Sequence, residues 1–289
     1  MAVQNVDLFV VSKLGRAPDS VVPSDVRKQV TVNGWTPPYT AESPQAAAYF
    51  STLCSAFCTP ENKRAIVQHL TLWRHISGTT DVSDYVIVVE DDNTVTQQLL
   101  DTAPALTAAL AAAGIDVLQL TGSTLTGFAE RMPLTTTPPM YAAPPAYPSL
   151  QAYIIRRTAA ALLHNNFVNR KVSTGLTFEL GAIERATGIK HLGLEDNATF
   201  VFHEYELTNK ARIDAHGPTF HQRVSSWFAR NYPESFSAVT TPVFSLFGKV
   251  NVSVSGLVVL LLVVLFIVFD VRSRVVWFIV GMIVSWSIQ

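Results

Sequence analysis

The chain has 289 residues, 48% of them apolar and 15% charged, with a formal net charge of -1 and two cysteines. That length and apolar content provide for one large α/β domain or two modest ones with a sizeable core, and exclude a disordered chain. The near-zero charge, with a pI near 6.7, excludes a general nucleic-acid binder, which carries a basic excess or a basic stripe.

Met1 to Leu14 lacks the basic start and long apolar core of a secretory signal. Asp7-Leu8-Phe9-Val10-Val11-Ser12 reads as a first strand, with Lys13 to Pro18 as its exit loop. Arg16 in that loop is a candidate for a base or phosphate contact; the alternative is a solvated arginine. Residues 19 to 44 show no sustained period and give one short strand near Gln29 to Val32. Cys54 and Cys58 would stack one turn apart on a helix, with no second pair to complete a zinc site. They read as buried small residues rather than as a disulfide or a metal pair.

Thr59-Pro60-Glu61 predicts a helix start, with Thr as cap, Pro at the first helical position and an acid in the first turn. That helix runs to about His75 and places Ile66, Leu70, Trp73 and Ile76 on one face. His69 flanks the stripe, as a core histidine with a hydrogen-bond partner or as the lining of a site.

The stretch Tyr85-Val86-Ile87-Val88-Val89-Glu90-Asp91-Asp92 stands out, because an apolar strand runs straight into three carboxylates. An uninterrupted apolar run suits a strand buried on both faces of a parallel sheet, and ligands of open α/β sheets collect at the carboxyl ends of such strands. If the backbone stays extended, Glu90 and Asp92 project to one side and Asp91 to the other, so that two carboxylates can share one hard cation. A solvated acidic turn after a core strand is the alternative.

Further on, Thr102 to Ala113 predicts an alanine-rich helix that Pro104 begins and Gly114 ends. Asp116 to Leu120 and Ala152 to Ile155 are strands, and Pro133 to Pro148 is a proline-rich loop that serves as a lid, an acceptor-facing loop or a passive connection. Thr158 to His164 and Thr177 to Thr187 are helical, the latter closing at Gly188, and residues 198 to 202 make a last strand. His216 and His221 are five apart, a spacing that does not share one helical face.

From Val252 to Phe269 the chain carries no charge and is almost wholly Val, Leu, Ile and Phe, which reads as a membrane span. After Asp270, Arg272 and Arg274, a second apolar segment from Val275 to Ile288 includes Trp277 and Trp286. It completes a hairpin, crosses obliquely or lies in the interface. The missing signal favours a cytosolic domain with a C-terminal anchor, whereas the two arginines favour the opposite orientation. With the domain in the cytosol, the sequons at Asn197 and Asn251 are chance matches. The expected division is an α/β domain over residues 1–235, a linker over 236–251 and an anchor over 252–289.

Three pieces, Asp7 to Val11, Gln68-His69-Leu70-Thr71-Leu72-Trp73 and Tyr85 to Asp92, resemble in order and spacing glycosyltransferase family 25, the lipopolysaccharide and collagen galactosyltransferases. Asp116 to Gly122, Ala152 to Ile155, and Thr219 to Gln222 with Ser225 and Ser226 add to the resemblance, which spans roughly residues 5 to 230. It implies a GT-A-like, Rossmann-like fold with a mostly parallel sheet flanked by helices, and leaves the C-terminal anchor, a transmembrane helix or helical hairpin, unexplained. It also implies a Mn²⁺ or Mg²⁺ ion held by Glu90 and Asp92, with a nucleotide-sugar donor bound near Ser12, Arg16 and Asp91. An inverting transfer to a glycan or protein hydroxyl needs a general base. The family's Asp-Trp pair is replaced here by Thr177-Phe178, which leaves Glu179, with His69 nearby in the pattern, as the catalytic candidates. Gln68-His69 stands where Ser-His is usual, and the first strand ends Val-Ser-Lys where Asn-Leu is usual.

Two functions follow. One is a membrane-anchored, metal-dependent glycosyltransferase. The other is a catalytically inactive, glycosyltransferase-like structural or scaffolding protein at a membrane, associated with the particle of a large DNA virus and assembling with protein partners.

Overall fold

The computed structural model describes residues 6–12, 15–22, 30–121, 132–136, 139–145, 148–194, 200–203, 242–246, 250–268, 273 and 277. Its centre is an eight-stranded sheet. The strands are β1 (Val6–Val11), β2 (Val30–Trp35), β3 (Tyr85–Glu90), β5 (Val117–Gln119), β6 (Met132–Thr136), β7 (Pro139–Ala143), β8 (Ala152–Arg156) and β9 (His191–Leu194). Their order is β2-β1-β3-β8-β5-β9-β7-β6. A short β4 (Asn93–Val95) pairs instead with β10 (Val201–His203).

The mostly parallel α/β architecture expected from the sequence is present in coarse form. β1 pairs parallel with β2 and β3, and β5 with β9. The Ala152 strand departs from that expectation, because β8 lies antiparallel between β3 and β5. The proline-rich segment departs too. Part of it forms the β6–β7 hairpin at the sheet edge, where Pro133 and Pro139 sit without interrupting a central ladder.

The helices are α1 (Pro18–Val21), α2 (Thr52–Phe57), α3 (Pro60–Gly78), α4 (Gln97–Ala113), α5 (Arg157–Arg170) and α6 (Leu176–Thr187). α3 starts as its sequence dictates: the Asn62 amide donates to Thr59 Oγ1 at 3.1 Å, with Pro60 at the first helical position. α4 begins earlier than Pro104 suggests. Thr96 caps it by accepting from the Leu99 amide, and Pro104 lies inside the helix. Gly114 ends it at φ 63, in the left-handed region that a side chain rarely adopts.

Strand alternation divides the core. Val86 and Val88 face a layer with Trp73 and Leu70 of α3 and Phe167 of α5. Ile87 and Val89 face a layer with Leu99, Leu106 and Leu110 of α4. A sheet covered on both sides explains why β3 is uniformly apolar up to Glu90.

The cysteines form a disulfide, which corrects their reading as two separate buried residues. Cys58 is the C-cap of α2, with φ -65 and ψ 139. Its Cα lies 4.6 Å from that of Cys54, inside the range a disulfide bridges.

The C-terminal expectation is also corrected. β11 (Pro242–Leu246) and β12 (Val250–Ser253) pair antiparallel, and α7 (Val254–Val268) follows without a break. Among the described residues no helix is long and apolar enough to cross a membrane. The second apolar segment lies outside the described residues apart from Trp277, as do His216, His221 and the Thr219 to Ser226 pieces.

Candidate functional site

The carboxyl ends of β1 and β3 bring together most of the residues singled out in the sequence. β3 ends at Glu90, and Asp91 and Asp92 form a tight turn into β4. The extended backbone that would point Glu90 and Asp92 the same way is therefore not maintained. The three acids take up three separate engagements.

Glu90 continues the strand alternation toward α3. Its Oε1 stands 3.4 Å from His69 Nε2, and His69 is 1% exposed. The other ring nitrogen, Nδ1, lies 3.0 Å from the Tyr153 hydroxyl, which accepts from Trp73 Nε1 at 2.9 Å. These contacts form one chain. The indole N–H donates to the Tyr153 hydroxyl, and which of that hydroxyl and His69 Nδ1 donates to the other follows the imidazole tautomer. Burial, the largest cause, pushes the Tyr153 phenol well above the ordinary tyrosine range; the Glu90 charge adds to the rise and the bond from Trp73 opposes it.

Asp91 is fully buried and turns back to the β1 exit loop. Its amide donates to the Val11 carbonyl at 2.9 Å. Its Oδ2 accepts from the Arg16 amide at 2.8 Å and lies 3.4 Å from Ser12 Oγ. The Arg16 guanidinium donates to the Asp91 carbonyl at 2.9 Å and to the Ser20 carbonyl at 3.0 Å. Ser12 is held from the other side, where its carbonyl accepts from Gln68 Nε2. Ser12, Arg16 and Asp91 are thus together, and these bonds fasten a loop to a turn.

Asp92 is buried as well, and its Oδ1 accepts from Asn93 Nδ2 at 2.8 Å. The same amide reaches the Glu90 and Gln151 carbonyls. Glu179, the candidate base, belongs to another locality. Its Oε1 accepts from the Ser173 and Thr174 amides, both at 2.7 Å, and from Thr174 Oγ1 at 3.1 Å. It sits in the first turn of α6, where a carboxylate capping nearby amides is favoured.

Among the described residues no group of three or more His, Cys, Asp or Glu is placed to hold a metal ion. The chemistry of the donor set agrees. A hard cation needs several oxygens converging on one point, whereas Glu90, Asp91 and Asp92 accept from different partners. Sequence reasoning did not find Tyr153, Gln68, Asn93 or Gln151. Each is set by pairing across the sheet or from α3, and no local pattern marks them. Only the apolar run around Tyr153 gave a hint, since a phenol buried in a central strand must find a partner.

Comparison with known proteins bears on the same residues. A family model described as poxvirus P35 protein matches residues 31–288. The immunodominant envelope protein p35 of fowlpox virus (strain NVSL) is 30% identical over 244 residues, covering 83% of this chain and 74% of that protein. Envelope protein H3 of vaccinia virus (strain Copenhagen) is 32% identical over 244 residues, 82% of this chain and 74% of that protein. Envelope protein OPG108 of monkeypox virus is 30% identical over 258 residues, 87% of this chain and 79% of that protein. These matches overturn the assignment to glycosyltransferase family 25. The matched range also runs through the apolar C-terminal segment.

Proposed function

The chain belongs to the poxvirus P35 protein family, and from that premise we propose that it is a structural protein of the virus envelope. The α/β domain is displayed at the lipid surface and held there by α7. Relatives named as envelope proteins support this reading, since they align over most of this chain.

The single observation that carries it is the character of α7. All fifteen of its residues are uncharged, and Leu257, Val258, Leu261, Leu262, Val264 and Leu265 are each exposed. At ~100° per residue these six side chains make one broad face, roughly 160° of the helix circumference, and all of them are large and apolar. In water such a surface is unfavourable by roughly 25 cal/mol for each Å² of apolar area, and lipid removes that cost. The acidic residues at the end of β3 support a structural role, because Asp91 bonds the turn to the β1 exit loop.

The test uses virus particles carrying the full chain or a chain lacking residues 254–289. The full chain is expected in the envelope fraction, released by nonionic detergent together with the lipid, and the shortened chain is expected to be absent from particles. Incorporation of the shortened chain at the level of the full one would rule the proposal out.

A further inference from the structure

We infer that α2 is a second lipid contact, a shallow apolar foot that fixes how the domain stands on the envelope; this rests on the reading of α7 as lipid-bound. α2 lies at the surface, with Leu53 45% and Phe57 39% exposed. The two are four residues apart and share one side of the helix. Cys54 and Cys58, the next positions on, are buried and disulfide-linked. The buried cysteines set the rotation of α2, and that rotation turns Leu53 and Phe57 outward.

The position of this pair is the second observation. The strand that rests against α2 is β11, which pairs with β12, and β12 passes directly into α7. Leu53 and Phe57 therefore stand beside the root of the apolar helix. If α7 is in lipid, the part of the domain nearest to its root faces the headgroups. Large apolar side chains beside the root of a lipid-bound helix suit the boundary between acyl chains and headgroups.

The test reconstitutes the full chain into vesicles of phosphatidylcholine and phosphatidylserine. Phe57 is replaced by the photoreactive p-benzoylphenylalanine and, in a control, Phe202 is replaced in the same way. Phe202 is 53% exposed, and its neighbour Val201 packs into the core layer on the other side of the sheet. After flotation and illumination, a phospholipid adduct is expected at position 57 and at least tenfold less at position 202. Co-flotation without an adduct at 57, or with adducts equal at both positions, would overturn the foot and leave the lipid-bound helix standing. A crosslinked dimer in place of the adduct would overturn it in favour of self-association. Failure of the full chain to float would sink the lipid-bound helix itself, and the foot with it.

Discussion

Asp91 and Arg16 hold each other at two points, the Arg16 amide donating to Asp91 Oδ2 at 2.8 Å and the guanidinium donating to the Asp91 carbonyl at 2.9 Å. The pair joins the turn after β3 to the loop after β1, 75 residues earlier. Each backbone group is thereby satisfied at a sheet edge where the ladder has ended. A carboxylate with no solvent exposure needs donors, and Asp91 Oδ2 has the Arg16 amide at 2.8 Å and Ser12 Oγ at 3.4 Å.

Removing that acceptor should destabilise the fold. Asp91→Ala strands the Arg16 amide and loosens the β1 exit loop, at an expected cost of about 2–3 kcal/mol. Urea denaturation followed by circular dichroism measures it. A midpoint unchanged from the parent would show that the pairing contributes nothing.

The buried chain from Trp73 to Glu90 makes Tyr153 sensitive in a different way. Tyr153→Phe leaves the Trp73 N–H and His69 Nδ1 without the hydroxyl, with an expected loss of roughly 1–3 kcal/mol at neutral pH. The same variant changes the alkaline behaviour. Because burial raises the phenol above its ordinary value of 10.0, the folded protein keeps a proton that the unfolded chain releases. Stability attributable to Tyr153 is full below that value and falls as pH rises beyond it, by about 1.4 kcal/mol per pH unit. Comparing urea midpoints of parent and variant between pH 9 and 11 should show a steeper decline in the parent; parallel declines would refute the assignment.

Glu179 is expected to matter for stability. Glu179→Ala leaves the Ser173 and Thr174 amides without their shared acceptor, worth about 1–2 kcal/mol and a Tm lower by roughly 2–6 °C for a domain of this size. Glu179→Gln retains an acceptor oxygen and should recover part of the loss. Calorimetry on the two variants distinguishes this capping role from a purely surface acid, for which both would match the parent.

The disulfide closes a loop of only a few residues, so its effect on the unfolded chain is small. Reduction, or Cys54→Ser with Cys58→Ser, should cost no more than about 2 kcal/mol. Thiol titration in denaturant should find no free thiol before reduction and two after it. Free thiols in the oxidised, purified protein would contradict the bond.

Local patterns in the sequence settled much of the fold. The Thr59 cap, the Pro60 start and the Gly114 and Gly188 stops act within one helical turn, so α3, α4 and α6 are visible from neighbours alone. β1 and β3 are visible because a strand covered on both faces has to be apolar throughout. The apolar character of residues 252–269 is equally plain from composition. Strand direction is a different matter. β8 runs antiparallel between β3 and β5 because its partners come from distant parts of the chain, and its side-chain pattern is the same either way. The β6–β7 hairpin was hidden for a related reason, since prolines that argue against a central strand are acceptable at an edge. The bond between Cys54 and Cys58 depends on a Cα separation of 4.6 Å, which spacing along the chain does not fix.

The three acids show the same division most sharply. The sequence determined that a buried strand ends in Glu90, Asp91 and Asp92, and that such a junction must be accommodated. Only the tertiary structure decided how, by bringing His69 to Glu90 and Arg16 to Asp91 and by turning the backbone so that Asp92 meets Asn93. A carboxylate's role depends on which donors surround it in space, and for Glu90 and Asp91 those donors come from α3 and the β1 loop, where no rule of spacing along the chain records them.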